Sequence, residues 1–291
     1  MFIATLIARP GALDPALADS LRNAWGGGDI LWLSPDEAAE FGLATLPANQ
    51  WEVWQSLQAQ GVDLVIQPDG NRRKKMLLAD MDSTMICQEC IDELAAEAGV
   101  GDHVACITAR AMNGELDFEA ALTERVGLLK DLPVSVIDTV LATRITLMPG
   151  GAELVATMKA QGAYAALVSG GFTAFTARVA ADLGFDENRA NTLLEGGGKL
   201  TGTVALPILG RDAKVAALQE ITARLGIGVE DVIAVGDGAN DLGMLHLAGT
   251  GVALHAKPSV QAECDIRINH GDLTALLYLQ GYSRDAFSFP G

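Results

Sequence analysis

Three short apolar runs, "MLLAD", "AYAALVSGG" and "VIAVGDGAND", each break off into polar residues, and long helical patterns lie between them. Short apolar runs of this kind read as buried strands, and their alternation with helices restricts the chain to an α/β fold with a parallel sheet. The first run ends at Asp80-Met81-Asp82-Ser83-Thr84, the second at Ser169-Gly170-Gly171, and the third at Gly236-Asp237-Gly238-Ala239-Asn240-Asp241. Ligands of an open parallel sheet bind outside the carboxyl ends of its strands, so the three clusters are expected to converge on one crevice. Any one of them alone also reads as a strand-end turn rich in Gly, Ser and Asp. Three together argue for a site.

The first cluster poses an electrostatic problem. If residues 76–81 form a strand, side chains two apart share a side, so Asp80 and Asp82 look one way and Met81 the other. Two carboxylates roughly 7 Å apart repel by on the order of 2 kcal/mol at an intermediate effective dielectric. A counter-charge is therefore expected: a lysine, a bound Mg²⁺, or a proton that raises one pKa. Asp237 adds a third carboxylate, and hard oxygen ligands suit Mg²⁺ better than zinc. Asn240 or Asp241 serves at least as well as the N-cap of a helix "ANDLGMLHLAG". Ser169 and the amides of Gly170 and Gly171 lie where a helix is expected to start, and exposed N–H groups there favour a phosphate oxygen. Lys214, in "GRDAKVAALQE", opens another helix. Alone it reads as a solvated surface lysine; in the crevice it would offset negative charge and stabilise a transferring phosphoryl group.

Upstream of these strands, residues 1 to about 70 read as a small α/β unit: strand "FIATLIA", helix "DPALADSLRNAW" capped by Asp14, strand "DILWLS", helix "PANQWEVWQSLQAQG" and strand "VDLVIQP". The polar stretch "DGNRRKK", residues 69–75, is taken as the junction, its four basic residues solubilising a linker or flanking a buried strand. Between the first two core strands, "IDELAAEAG", "DHVACITARAM", "FEAALTERVGLLKD" and "VSVIDTVLATR" read as helices with no convincing strand. Such an insertion looks like a lid above the strand ends, and "LLEGGGKLTG" further on reads as a hairpin flap. The expected division is residues 1–72 as the first unit, 73–86 with 148–291 as the core, and 87–147 as a helical cap.

Composition removes several classes of function. A net charge of −17 and a pI near 4.5 argue against nucleic acid or an anionic membrane surface as partner, because phosphate polyanions need a basic footprint. The opening "MFIATLIARPGALD" lacks a basic leader, and no apolar run is long enough for a membrane span, so a cytoplasmic protein is expected. Cys87, Cys90, Cys106 and Cys264 are too few to suggest a disulfide scaffold. Cys87 and Cys90 form a C-x-x-C, but no second pair completes a zinc site and the spacing falls in an expected helix.

On "DMDST", "SGG", the lysine of "RDAK" and "GDGAND", in that order, the chain resembles the haloacid dehalogenase (HAD) superfamily of phosphohydrolases, and within it the phosphoserine phosphatases. The stretches "ECIDELAAEAGV", "AMNGELDFEAALTERVGLLKDLP" and "GKLTG" are similar to that group's cap. The similarity covers roughly residues 76–280, and the first 70 resemble at most an ACT-like regulatory module. The resemblance implies a Rossmann-like HAD core with a helical cap inserted after its first strand. It also implies Mg²⁺-dependent hydrolysis of O-phospho-L-serine, the last step of serine synthesis, through an aspartyl-phosphate.

Carried over residue by residue, the resemblance implies Asp80 as nucleophile and Asp82 as general acid and then base. Asp80, the backbone carbonyl of Asp82, and Asp237 would hold Mg²⁺, with Asp241 behind. Ser169, Gly170 and Lys214 would bind phosphoryl oxygens, with Gly171 supporting them, Asn240 assisting and Thr84 positioning the loop. Glu89 and Arg125 would take the substrate's ammonium and carboxylate, and Met112 and Phe118 would wall its short side chain. Without the resemblance, Glu89 and Arg125 read as surface charges, and Met112 and Phe118 as packing residues. Two other functions keep the same residues in play, a phosphotransferase and a phosphatase for another small phosphomonoester; a receiver-like signalling module also gathers acidic residues, a hydroxyl and a lysine around a phosphorylated aspartate, but would lack Asp82 as acid and base and need no long lid. The first unit is open to binding an amino acid, pairing two chains as a homodimer, or neither.

Overall fold

The computed structural model describes residues 1–112 and 115–289, the side chains of 111 and 112 excepted. Its first unit runs β1 (Phe2–Ala8), α1 (Pro15–Trp25), β2 (Leu31–Ser34), β3 (Ala38–Leu43), α2 (Gln50–Gln58) and β4 (Val62–Pro68). Residue types suited to helix ends fix α1: Asp14 Oδ1 accepts the Ala16 N–H at 2.8 Å, Pro15 occupies the first turn, and Gly26 closes the helix at φ 62°. The strands pair antiparallel in the order β2-β3-β1-β4, the split βαββαβ arrangement.

β3 leaves no strand signal in the sequence. Half-buried strands announce themselves by alternation, and this one is covered on both faces. Ala39, Phe41 and Leu43 pack with Leu6 and Leu57 in the unit's own core, whereas Ala38 joins Ile7, Leu33 and Val65 in the larger core that includes Leu276 and Tyr278. The sheet is thus sealed onto the rest of the molecule. Acidic groups in the seam have partners, although the Tyr278 hydroxyl and His270 Nε2 are buried without one. Asp63, fully buried, accepts the N–H groups of Asn269, His270 and Gly271 at 2.9, 2.9 and 2.8 Å. Arg72 binds Glu40 bidentately at 3.2 and 2.5 Å and donates to the Leu279 carbonyl at 3.0 Å. The junction's basic residues therefore do more than solubilise it: Arg72 closes a largely buried ion pair, and Lys74 Nζ donates to the Glu230 carbonyl at 2.8 Å.

The second sheet begins with β5 (Met76–Ala79), and the helices α3 (Cys90–Glu97), α4 (Gly101–Met112), α5 (Phe118–Gly127) and α6 (Ser135–Thr143) follow it. The chain returns through α7 (Gly151–Ala160) to β6 (Tyr164–Phe172), then α8 (Thr173–Leu183), β7 (Glu187–Asn191) and a hairpin of β8 (Leu193–Gly196) and β9 (Lys199–Val204). It ends with α9 (Arg211–Leu225), β10 (Val232–Gly236), α10 (Leu242–Leu247), β11 (Thr250–Leu254), α11 (Pro258–Ala262), β12 (Ile266–Ile268) and α12 (Ala275–Leu279). Six strands pair in parallel in the order β12-β11-β10-β5-β6-β7. All residues of β5 and β10 are buried, as expected for a parallel sheet covered on both faces. From β5 the chain moves to β6 on one side, and β10 later pairs on the other, which puts the topological switch point at the carboxyl end of β5. The edge strand β7, "ENRAN", is polar and carried no strand signal.

The helical segment is tied to the core by two linkers that run side by side. Cys87 N–H donates to the Thr146 carbonyl, and Met148 N–H to that of Met85, both at 2.9 Å. The β8-β9 hairpin docks against the same segment: Asp131 N–H donates to the Leu200 carbonyl at 2.9 Å and Val134 N–H to that of Gly198 at 3.0 Å. No helix of the described residues is long and apolar enough to cross a membrane.

Candidate active site

The expected strand over 76–81 ends at Ala79. The Asp80 N–H still reaches the Val235 carbonyl at 3.0 Å, after which the chain turns tightly about the Met81 carbonyl. That oxygen accepts from Thr84, Met85 and Ile86 N–H at 3.2, 2.8 and 3.0 Å, and the turn puts Ser83 in the left-handed region at φ 54°. Ser83 Oγ donates to Glu89 Oε1 at 2.7 Å, which ties the turn to the start of α3. A conformation uncommon for serine is thus held by its neighbours, which aims Asp80 and Asp82 into the crevice rather than along the sheet.

Beside this turn, Lys214 Nζ lies 2.6 Å from both Asp80 Oδ1 and Asp241 Oδ1. Only the Asp241 contact has hydrogen-bond geometry, so the buried Asp80 oxygen keeps acceptor capacity unused. Lys214 is fully buried, which overturns the reading of a solvated surface lysine. Asp241 does not cap α10 with its side chain: Oδ1 takes the lysine, and Oδ2 accepts the Gly238 N–H at 3.0 Å. Asp80, Asp237 and Asp241 bring ligand oxygens within 4.8 Å of one another. This is a pocket of hard donors with more negative charge than its lysine offsets.

The protonation equilibria report the same imbalance. Burial and then Asp241 push Asp80 well above the usual carboxylate range against the pull of Lys214. Burial and then Asp241 and Glu89 push Asp237 up to about 7. Asp82 also rises to about 7, through burial and the neighbouring Glu89, although Cys90 donates to it. Burial alone would depress Lys214, but Asp241 and Asp80 outweigh it and hold the ammonium charged. Carboxylates that resist ionisation around one fixed cation accept a further cation readily.

Ser169 is buried in the last half of β6, and its Oγ accepts the Gly171 N–H at 2.9 Å, leaving the hydroxyl proton free for an anion. Gly170 and Gly171 belong to β6; α8 starts later, at Thr173, so these amides are not the helix start that was expected. Asn191, at the end of the unrecognised strand β7, donates from Nδ2 to the carbonyls of Gly170 at 2.9 Å and Leu209 at 3.1 Å, and its Oδ1 accepts the Leu209 N–H at 2.7 Å. It holds the β6 terminus against the loop that leads to Lys214. No sequence signal marked it, because the pairing spans two elements and a polar edge strand.

From the helical segment, Phe118 lies over Gly170 and Gly210, its ring 3.1 and 3.3 Å from where a β-carbon would stand on each. Arg125 Nε is turned back onto the Ala121 carbonyl of its own helix at 3.2 Å, with Asp92 in its electrostatic reach. Glu89 is exposed, and Asn240 is half-buried with its Oδ1 beside Gly238. Thr84 is fully buried, its Oγ1 unpartnered. The Met112 side chain, expected to wall the substrate, lies outside the described residues. Cys87 precedes α3 and is exposed, while Cys90 opens that helix and is buried against Asp82, so the C-x-x-C is split between two environments.

The haloacid dehalogenase-like hydrolase family matches residues 77–246. The phosphoserine phosphatase of Archaeoglobus fulgidus is 45% identical over 218 residues, 74% of this chain; the chain spans only 63% of that relative's length. A HAD family hydrolase from Salmonella enterica subsp. enterica serovar Typhi superposes with a TM-score of 0.87 at 33% identity, covering 96% of this chain and 97% of its own. A phosphoserine phosphatase solved as a phospho-aspartyl intermediate analogue superposes with a TM-score of 0.66 at 43% identity, over 71% of this chain and 98% of its own.

Proposed function

Because the chain belongs to the haloacid dehalogenase-like hydrolase family, we propose that it hydrolyses O-phospho-L-serine to serine and phosphate, the last step of serine synthesis, through an aspartyl-phosphate on Asp80. The observation that carries the reading is the pairing of Asp80 with Lys214 at 2.6 Å at the switch point of a parallel sheet, beneath an inserted helical segment. Asp80 attacks phosphorus, and Asp82, two residues on, gives a proton to the departing serine oxygen and later takes one from the attacking water. An Asp82 that titrates near neutrality suits both halves of that exchange. Lys214 and the Ser169 hydroxyl bind phosphoryl oxygens, with Gly170 and Asn240 beside them.

The residues fit a Mg²⁺ ion: three carboxylates converge within 4.8 Å, Asp80 Oδ1 has unused acceptor capacity, and all the donors are hard oxygens. Asp80, Asp237 and the Asp82 carbonyl would hold the ion, with Asp241 behind. When bound, it shields the nucleophile from the charge of the phosphate. Residues 87–147 act as the cap. Glu89 meets the substrate ammonium, Arg125 its carboxylate, and Phe118 with Met112 the methylene between them.

Phosphate release from a panel of small phosphomonoesters with Mg²⁺ tests the reading, with and without added alcohol acceptors. The expected outcome is preference for O-phosphoserine and water. A further loss of about 10²-fold or more in kcat/KM is expected for Arg125→Ala on O-phosphoserine and not on an ester lacking a carboxylate. Equal losses on both remove the clamp, and transfer to alcohol in place of hydrolysis makes the protein a phosphotransferase.

A further inference from the structure

We propose that Cys90 is a positioning residue for Asp82, holding both oxygens of that carboxyl group so that its proton is aimed at the leaving oxygen. The inference rests on the role given to Asp82 above. The Cys90 N–H donates to Asp82 Oδ1 at 3.2 Å, and its thiol donates to Oδ2 at 3.3 Å. The backbone donor is available because Cys90 is the first residue of α3, where N–H groups have no partner within the helix. The thiol is fully buried, so no water competes for it.

A third wall closes the arrangement. A β-carbon on Gly171 would stand 2.7 Å from Asp82 Oδ2, 2.9 Å from Cys90 Sγ and 3.2 Å from Met81 Cε. Glycine at this position lets β6 approach the pair closely, and that wall limits where the carboxyl group can turn. Each carboxyl oxygen has a lone pair for these donors whether or not the group is protonated. The clamp therefore persists through the cycle. In the first half a bond forms between Asp80 and phosphorus, the ester P–O bond breaks, and the Asp82 proton passes to the departing oxygen. In the second half water gives a proton to Asp82 as it attacks phosphorus and the Asp80–phosphorus bond breaks. A loosely held carboxyl group would have to be reoriented before each transfer.

The test compares Cys90→Ala and Cys90→Ser on O-phosphoserine and on p-nitrophenyl phosphate. The ratio kcat/KM counts steps only as far as departure of the leaving group, and an alkoxide needs a proton there whereas nitrophenolate does not. Cys90→Ala is expected to lower kcat/KM on O-phosphoserine about tenfold, with kcat/KM on p-nitrophenyl phosphate within about twofold of the parent. Cys90→Ser, which keeps a donor, is expected to recover most of the loss. Equal losses on both esters, no loss on either, or a serine variant no better than alanine would overturn the proposal. A measurement that needs no folded alanine variant is the infrared S–H stretch, assigned by its absence in Cys90→Ser. It should lie below that of a free thiol and move up in Asp82→Ala; an unmoved band also overturns the proposal. Should the parent hydrolyse another alkyl phosphate in place of O-phosphoserine, the substrate assignment fails, and the Cys90 comparison is run on that ester.

Discussion

Acidic side chains are buried in two regions of this molecule, and the two treat them differently. At the seam between the first sheet and the core, each has at least one donor. Asp63 takes three backbone N–H groups, Glu40 a bidentate arginine, and Glu37 the Ser34 hydroxyl at 2.7 Å. In the crevice, Asp80 and Asp241 flank one lysine with the half-buried Asp82 and Asp237 nearby, and burial pushes Asp80, Asp82 and Asp237 above their usual range. Matched burial makes a joint. Unmatched burial makes a site, because the missing charge must come from a bound cation, a substrate or a proton.

The strongest challenge to this contrast is Asp80→Asn. Phosphate release should fall more than about 10³-fold, while the urea midpoint holds or rises, because an amide relieves excess negative charge. A midpoint that falls sharply would mean the crevice is a structural joint after all. Removing divalent ions with a chelator should stop phosphate release, and Mg²⁺ should restore it. Saturating Mg²⁺, near 100 times its dissociation constant, should raise the stability of the parent by about 2.7 kcal/mol and leave that of Asp237→Asn nearly unchanged, as thermal unfolding would report.

The seam should behave in the opposite way. Asp63→Ala leaves three N–H groups without their acceptor, that of Gly271 buried and those of Asn269 and His270 half-buried, and should cost roughly 2–4 kcal/mol by urea unfolding, with kcat of the folded fraction within about twofold of the parent. A large loss of kcat without loss of stability would show that the first unit acts on the crevice. The smallest expected effect is at the junction. The hydrogen bond from Lys75, 3.0 Å away, holds Asp231 below the usual carboxylate range. Its contribution is therefore complete above the ordinary aspartate value near about 4 and is lost as pH falls through the depressed folded-state value. Lys75→Ala should reduce that acid-side loss, read as a shallower slope of stability against pH.

Both the crevice and the seam were partly legible beforehand, for different reasons. The three strand termini could be read because a buried parallel strand is a continuous apolar run, and its abrupt end in Asp, Ser or Gly is visible in a linear string. Lys214 was placed only through its family resemblance, since a lysine early in a helix reads as solvent-facing until its neighbours are known. Arg72, β3 and Asn191 were misread or missed because each is defined by partners far away in the chain: Glu40, two covering cores, and the loop before α9. Cys90 was visible as half of a C-x-x-C, but that pattern directs attention to metals and disulfides rather than to a carboxylate eight positions back.

Periodicity and residue chemistry alone thus determined the α/β class, the alternation of strands and helices, and the acidic character of the crevice. These follow from short-range rules, in which each residue's preference is decided by neighbours within a turn or a strand. Tertiary structure alone decided which carboxylates are matched, which lysine is buried, and how tightly the first sheet is sealed to the core. Charge balance and burial depend on distances between groups remote in sequence, and those distances exist only once the sheet order is set.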